Sequence, residues 1–167
     1  MANKAQLAFA RQVYAAAVEA KTEIDPAFVT AQAMLETGWG ARVIGKANLF
    51  GITKGSQWDG DIVMVKTHEY FKTPKDHIVS VCKVAGKNLW YYTVMRAFKD
   101  FDSVGDCLKE HERLFQKSGY KDAWPYRKDP FKFAQKICDG VGCKYATDPT
   151  YLTTITSIIK TIRRKCV

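Results

Sequence analysis

The chain has no apolar run approaching the roughly 20 residues that a membrane-spanning helix requires, so no membrane insertion is expected. Its first residues, Met1 to Leu7, hold no continuous apolar stretch of the secretory-signal kind, and no secretory signal is expected either. The five cysteines (Cys82, Cys107, Cys138, Cys143 and Cys166) include no Cys-x-x-Cys, and the three histidines are scattered. A zinc site therefore has little support, and neither metal nor other cofactor is expected. Five cysteines cannot all pair within one chain. Cys138 and Cys143 flank a glycine-rich turn and could approach each other, but without a signal reduced thiols are the default. Internal repeats and low-complexity linkers are also missing. A length of 167 residues then suits one well-buried domain, residues 1–167, and is short for two.

What is present is ordinary for a soluble globular protein: 47% hydrophobic and 26% charged residues. The net charge of +9 calls for an acidic partner, whether nucleic acid, anionic lipid or an acidic envelope polymer. Charge alone does not choose among them. The one dense basic run, Arg163-Arg164-Lys165, suits a helix C-terminus, and no nucleic-acid recognition motif accompanies it.

Periodicity orders the rest. Residues 4 to 22 read as a packing helix with Leu7, Val13, Tyr14 and Val18 on its apolar stripe. A loop follows the next helix, rich in glycine and large aromatics, from Gly45 to Gly60. From Ile62 to Phe71 the period changes to two, and Leu89 to Met95 repeats the pattern, with Ile78 to Val84 as a third candidate strand. These make a small antiparallel β-lobe over about residues 60–96. Asp102-Ser103 opens a helix through about Phe115 with Val104, Cys107, Leu108, His111 and Leu114 on one face. Asp129-Pro130 opens another with Phe131, Ala134 and Ile137 inward. Asp148-Pro149 opens the last, with Leu152, Ile155, Ile159 and Ile162 at helical spacing. His111 reads as a packed or surface histidine rather than a ligand or base. The architecture expected is α+β with a mostly helical body.

The stretch Ala31-Gln32-Ala33-Met34-Leu35-Glu36-Thr37-Gly38-Trp39-Gly40 carries chemistry. Asp25 can cap its helix, Pro26 suits the first position, Phe28, Ala31 and Leu35 recur at helical spacing, and the glycines end it. Glu36 then sits in the last turn, at the negative end of the helix dipole and beside Trp39, and both influences raise a carboxyl pKa. A carboxyl kept protonated near neutral pH is what general acid catalysis requires. A surface glutamate beside a core tryptophan is the plainer reading of the same residues. Glu69, inside a run of good strand formers, is a poor strand residue that a solvent-facing position would explain. Asn48 among loop aromatics suits a sugar, which is bound by amide hydrogen bonds and flat apolar faces.

Several motifs in order resemble a known family. Ala33 to Gly40, then Ala47-Asn48-Leu49-Phe50-Gly51-Ile52, Thr67-His68-Glu69-Tyr70, Met95-Arg96-Ala97-Phe98 with Phe101-Asp102-Ser103, and Tyr145 to Tyr151 resemble the signature of bacterial β-N-acetylglucosaminidases of glycoside hydrolase family 73. The resemblance implies a lysozyme-like fold, a helical body with the β-lobe over a sugar-binding groove. It implies that Glu36 is the general acid for the bond between N-acetylglucosamine and N-acetylmuramic acid in peptidoglycan. Glu69 matches the family's second carboxylate, and Tyr145 a tyrosine lining the site. Trp39, Asn48, Phe50 and Tyr70 are candidates for binding the glycan strand. Glu69 could activate water, attack as nucleophile, or assist attack by the substrate's own acetamido group. A muramidase on the same polymer and a non-catalytic wall-glycan-binding module are the alternatives. The segment between Glu69 and Arg96 is longer than in many relatives, and no wall-binding repeat is appended. Those features suit an enzyme made in the cytoplasm and carried to the wall by lysis, a phage particle or secretion machinery. They leave oligomeric state open.

Overall fold

The computed structural model describes residues 2–71, 80–140, 145–146 and 148–167, apart from the side chains of Glu69, Phe71, Val81 and Ser118. Two compact units result: Met1–Gly51 with Phe101–Val167, and Ile52–Asp100.

The first unit is helical. α1 (Lys4–Glu19) starts at a capping box, in which Asn3 Oδ1 accepts from Gln6 N–H (2.9 Å) and Gln6 Oε1 from Asn3 N–H (2.8 Å). Its core-facing stripe is Ala10, Val13 and Ala17, one or two turns apart. Val18, expected on that stripe, is 53% exposed. Small alanines bring α1 close to its neighbour, and the valine falls on the outside.

α2 (Pro26–Thr37) has Asp25 as its N-cap and Pro26 at its start, as the sequence reading expected. It is buried from Ala27 through Met34 without a break, so it runs through the core instead of lying on it. It packs against α1, α4 (Pro130–Asp139) and α5 (Tyr151–Lys165). Leu35, assigned to an apolar face, is only half-buried. The centre of the unit is an edge-to-face cluster: Phe28 with Phe133 at 4.9 Å and with Phe115 of α3 (Val104–Phe115) at 6.2 Å.

α3 begins at Ser103, whose hydroxyl accepts from Asp106 N–H (3.1 Å), and buries Cys107, Leu108, His111 and Phe115. Leu114 and Val104 stay half-buried at the edge of that face. Two single turns of 3-10 helix, Ser118–Tyr120 and Trp124–Tyr126, lead to α4. There Asp129 caps as expected, but Phe133 is the buried ring, whereas Phe131 stays half-buried with the Arg163 guanidinium 5.5 Å over it. Asp148-Pro149 do not open α5. Asp148 accepts from both the N–H and the hydroxyl of Thr150 (2.8 Å each), a turn of its own, and the helix begins two residues later, at Tyr151. The expected approach of Cys138 to Cys143 concerns a residue outside those described. Cys82, Cys107 and Cys166 are free thiols.

The second unit is a three-stranded antiparallel sheet in the order β1-β3-β2, from β1 (Ile62–Phe71), β2 (Ser80–Lys83) and β3 (Trp90–Lys99). Ile62 pairs with Lys99 and Phe71 with Trp90, which puts Glu69 opposite Tyr92 and Tyr70 opposite Tyr91. The unit is wider than the lobe of 60–96. Thr53 bridges Phe98, and Lys99 N–H donates to Ile52 O (3.0 Å), so the first residues after Gly51 already pair with β3.

Gly38, Trp39 and Gly40 all have positive φ, at +59°, +61° and +86°. A Cβ on Gly40 would lie 2.6 Å from Phe9 Cδ1, so both the backbone and the space demand glycine there. Gly40→Ala is expected to cost about 1–3 kcal/mol or more, read as a lower urea midpoint at unchanged m-value. Gly55→Ala, at φ +65° with nothing within 4 Å, isolates the backbone part and should cost less. Equal losses at the two positions would mean that Phe9 does not press on Gly40 in solution.

Candidate active site

Glu36 is the penultimate residue of α2, and the left-handed Gly38 ends the helix just after it. Four residues earlier on the same face stands Gln32. Each meets a tyrosine from the C-terminal part of the chain. Tyr145 O–H donates to Glu36 Oε1 at 3.2 Å, and Gln32 Nε2–H donates to the hydroxyl oxygen of Tyr151 at 3.1 Å. The two tyrosine rings lie 5.4 Å apart. Tyr145 is anchored by its own N–H, which donates to Ile137 O at the end of α4 (3.0 Å), and by its ring, stacked on Phe115 at 5.5 Å.

Behind Gln32 the network ends in α3. His111 Nε2 lies 2.7 Å from Gln32 Oε1. Since the Gln32 amide nitrogen donates to Tyr151, its oxygen is the acceptor, and His111 is the Nε2–H tautomer. The ring is 1% exposed, and burial pushes its pKa down to about 3, so it is neutral. His111 is thus the packed histidine of the sequence reading, with a hydrogen-bonding duty that the reading did not assign.

Glu36 keeps a solvent-exposed surface while its carboxyl is set into protein. Desolvation raises its pKa above the ordinary carboxylate value, and the hydrogen bond from Tyr145 holds it back in part. The direction agrees with the sequence argument, but the aromatic at the carboxyl is Tyr145. Trp39 instead lines a cavity of about 500 Å³ between the ends of α2 and α5, with Met34, Leu35, Gly38, Thr153, Thr154, Ser157 and Ile158.

The remaining candidates are dispersed. Asn48 is buried, with its backbone N–H and C=O both paired to Ile44 (3.0 and 3.2 Å). Leu49 N–H donates to Cys107 Sγ (3.4 Å), and the Phe50 ring stacks on His111 at 3.8 Å. Leu49 and Phe50 fasten the loop onto α3, and burial pushes the Cys107 thiol up to about 12, which makes it inert. Tyr70 lies in the other unit, 62% exposed, with its ring 5.2 Å from Tyr91. His68 stacks on the same Tyr91 at 5.1 Å, with its Nδ1 3.2 Å from Thr93 Oγ1. The side chain of Glu69 is outside the described part of the structure. Among the described residues no group of three or more His, Cys, Asp and Glu side chains could hold a metal ion.

A family model described as mannosyl-glycoprotein endo-β-N-acetylglucosaminidase matches residues 12–164. The chain belongs to this glucosaminidase family. Its curated relatives include the peptidoglycan hydrolase FlgJ of Pseudomonas aeruginosa, 29% identical over 144 residues (82% of this chain, 31% of that protein). FlgJ of Vibrio parahaemolyticus is 30% identical over 135 residues (77% of this chain, 37% of that protein). The chain thus spans about a third of the length of these relatives. The glycoside hydrolase domain of Salmonella typhimurium FlgJ, C-terminally truncated, has the same lysozyme-like fold. The TM-score is 0.71 at 22% identity, over 95% of this chain and 98% of that one.

For a glucosaminidase-family chain, the residues that sequence reasoning missed are Gln32, Tyr151 and, in its bonding role, His111. A signal existed for Gln32: it is a polar residue within an apolar helix, one turn before Glu36. Nothing in the sequence announced that Tyr151 would be its partner.

Two outcomes check this geometry. Tyr145→Phe removes the bond that lowers the Glu36 pKa, so that pKa should rise, read by carbon-13 titration of the labelled carboxyl. A lower or unchanged value would mean the bond is absent in solution. His111 has a depressed folded pKa, so the stability it confers is complete above pH 6.5 and is lost as pH falls toward about 3. That loss should run at about 1.4 kcal/mol per pH unit for this group, and His111→Gln should flatten it. An unchanged slope in the variant would show that the histidine is not buried neutral.

Proposed function

We propose that this chain hydrolyses the glycan strand of bacterial peptidoglycan, with Glu36 as its general acid. The observation that carries the reading is the Glu36 carboxyl at the end of α2, partly desolvated and hydrogen-bonded by Tyr145 at 3.2 Å. Hydrolysis needs a proton for the leaving glycosidic oxygen and a second group for water or for the oxocarbenium-like carbon. Glu36 donates the proton, and Tyr145, donating to one carboxyl oxygen, leaves the other to face the substrate. Glu69 is the second carboxylate. Borne on β1, it either activates water or orients the substrate's acetamido group. The positive charge draws the protein to the anionic wall, and residues 1–167 form one catalytic domain. The family's described activity and the relatives named as peptidoglycan hydrolases support the bond between N-acetylglucosamine and N-acetylmuramic acid as the one cut.

Clearing of a purified peptidoglycan suspension, followed by mass analysis of borohydride-reduced ends, tests the reading. Reduced N-acetylglucosamine is the expected product. Reduced N-acetylmuramic acid would make the protein a muramidase, and binding without release would make it a glycan-binding module.

Glu36→Gln should lower the clearing rate at least about 10²-fold, the usual scale of general acid catalysis. Wild-type activity should fall as pH rises through the raised Glu36 pKa, because the acid must be protonated. A raised carboxyl pKa means the folded state binds that proton more tightly than the unfolded chain does. Glu36→Gln should therefore raise the thermal midpoint at pH 7 and leave it near wild type at pH 4. A variant that clears peptidoglycan at near wild-type rate would remove Glu36 from the mechanism.

A further inference from the structure

Trp39 is one of two non-glycine residues with positive φ, among the described residues, and it stands between two glycines that are also left-handed. A bulky side chain in that region is a backbone outlier whose cost something must justify. The Glu36 carboxyl does not provide the reason, since Trp39 lines the cavity toward α5. The cavity is made by matching positions of two helix ends: Met34, Leu35, Gly38 and Trp39 from α2, and Thr153, Thr154, Ser157 and Ile158 from α5. Met34 and Ile158 are buried and make an apolar floor. Thr153 and Ser157 are exposed at the mouth, and Thr154 is half-buried.

Three further features define its chemistry. Among the described residues no charged side chain lines it, in a chain that carries +9. The hydroxyls of Thr153, Thr154 and Ser157 take part in no hydrogen bond among the described residues, although Thr161 on the same helix bonds back to Ser157 O. The indole N–H of Trp39 likewise has no partner among them. The volume, about 500 Å³, falls in the range of small-molecule sites.

We infer that this cavity, whose lining includes neither Glu36 nor Tyr145, is an accessory binding site for an N-acetylated hexosamine unit of a glycan strand. The sugar's apolar face fits Trp39, its acetamido methyl fits the Met34–Ile158 floor, and its hydroxyls meet the three free hydroxyls. A peptide stem, with its carboxylates and amines, finds no countercharge in the lining. The inference rests on the glycan reading above and adds a second hold on the same polymer. A polymer held at two points dissociates more slowly than a fragment long enough for one.

The test combines a titration with two substrates. Isotope-labelled Glu36→Gln protein is titrated with the neutral trimer of N-acetylglucosamine while backbone amides are followed. Shifts at Thr153, Thr154 and Ser157 are expected, and they should vanish in a second protein that also carries Ser157→Phe, which fills the mouth of the cavity. In the active protein, Ser157→Phe should slow clearing of intact peptidoglycan about tenfold and leave cleavage of a short soluble fragment within about twofold. Thr153→Ala, milder at an exposed position, should give a smaller loss in the same direction. Trimer shifts confined to the surroundings of residue 36, or equal losses on both substrates, would overturn the accessory site. Shifts caused by a stem peptide and not by the trimer would overturn the assignment to sugar. If the wild type cleaves neither substrate, the catalytic reading fails, while the trimer shifts at α5 still decide this one.

Discussion

The constraint on which the helical unit depends is that α2 runs through its core and still carries two polar heads on one face. A helix buried from Ala27 to Met34 offers no water to Gln32, and an unpartnered buried amide costs about 1–3 kcal/mol. The partners come from far along the chain: His111 on α3, and Tyr151 at the start of α5. Satisfying Gln32 therefore fixes how α3 and α5 meet α2. One turn later the same alignment carries Glu36 to Tyr145. The acid is placed by the packing that satisfies its neighbour.

The end of α2 adds the second requirement. On the proposed reading of Glu36 as general acid, its carboxyl has to reach substrate, and the helix leaves the core just where Glu36 sits. Thr37 turns its hydroxyl onto Ala33 O (2.6 Å) and accepts from Gly40 N–H (2.8 Å), closing the end of the helix on itself. The left-handed run Gly38-Trp39-Gly40 then reverses the chain within three residues. Gly40 passes against Phe9 of α1 with no room for a methyl group, so the turn is pinned to the helix on the other side. The exposed Glu36 and the close glycine are consequences of one abrupt exit.

Much of this was legible in the sequence because it is local. The caps at Asp25, Ser103 and Asp129 act within three residues of themselves, and the two-residue period of Ile62–Phe71 is visible without its partner strand. Of the misreadings, one has a local cause and one a distant cause. Asp148-Pro149 has the composition of a cap, but Asp148 spends its carboxylate on Thr150. Phe131 and Phe133 differ only in which one meets Phe28, and that is decided by α2, a hundred residues away. At the site, Glu36 was legible from its position before two glycines. The exchange of Trp39 for Tyr145 at the carboxyl was not, because sequence adjacency to a helix end says nothing about which way the chain turns after it.

Burial acts on the titratable groups of this unit in one direction, against charge, yet its effect on function differs with the group. It drives His111 down to about 3 and Cys107 up to about 12, and lifts Tyr145 and Tyr151 well above the ordinary phenol range. Each of these is thereby locked neutral at any pH the protein would work in. For a carboxyl the same desolvation moves titration upward, from an acidic range toward neutrality. Glu36 thus has, in Tyr145, a hydrogen-bonding partner that cannot change charge, while its own titration is moved upward. The proton at this helix end belongs to one residue. Tyr145 can orient the carboxyl by donating to it, but it cannot take the proton's place, because losing its own would put a phenolate against a carboxylate in a desolvated site. The polar network positions the acid without competing with it.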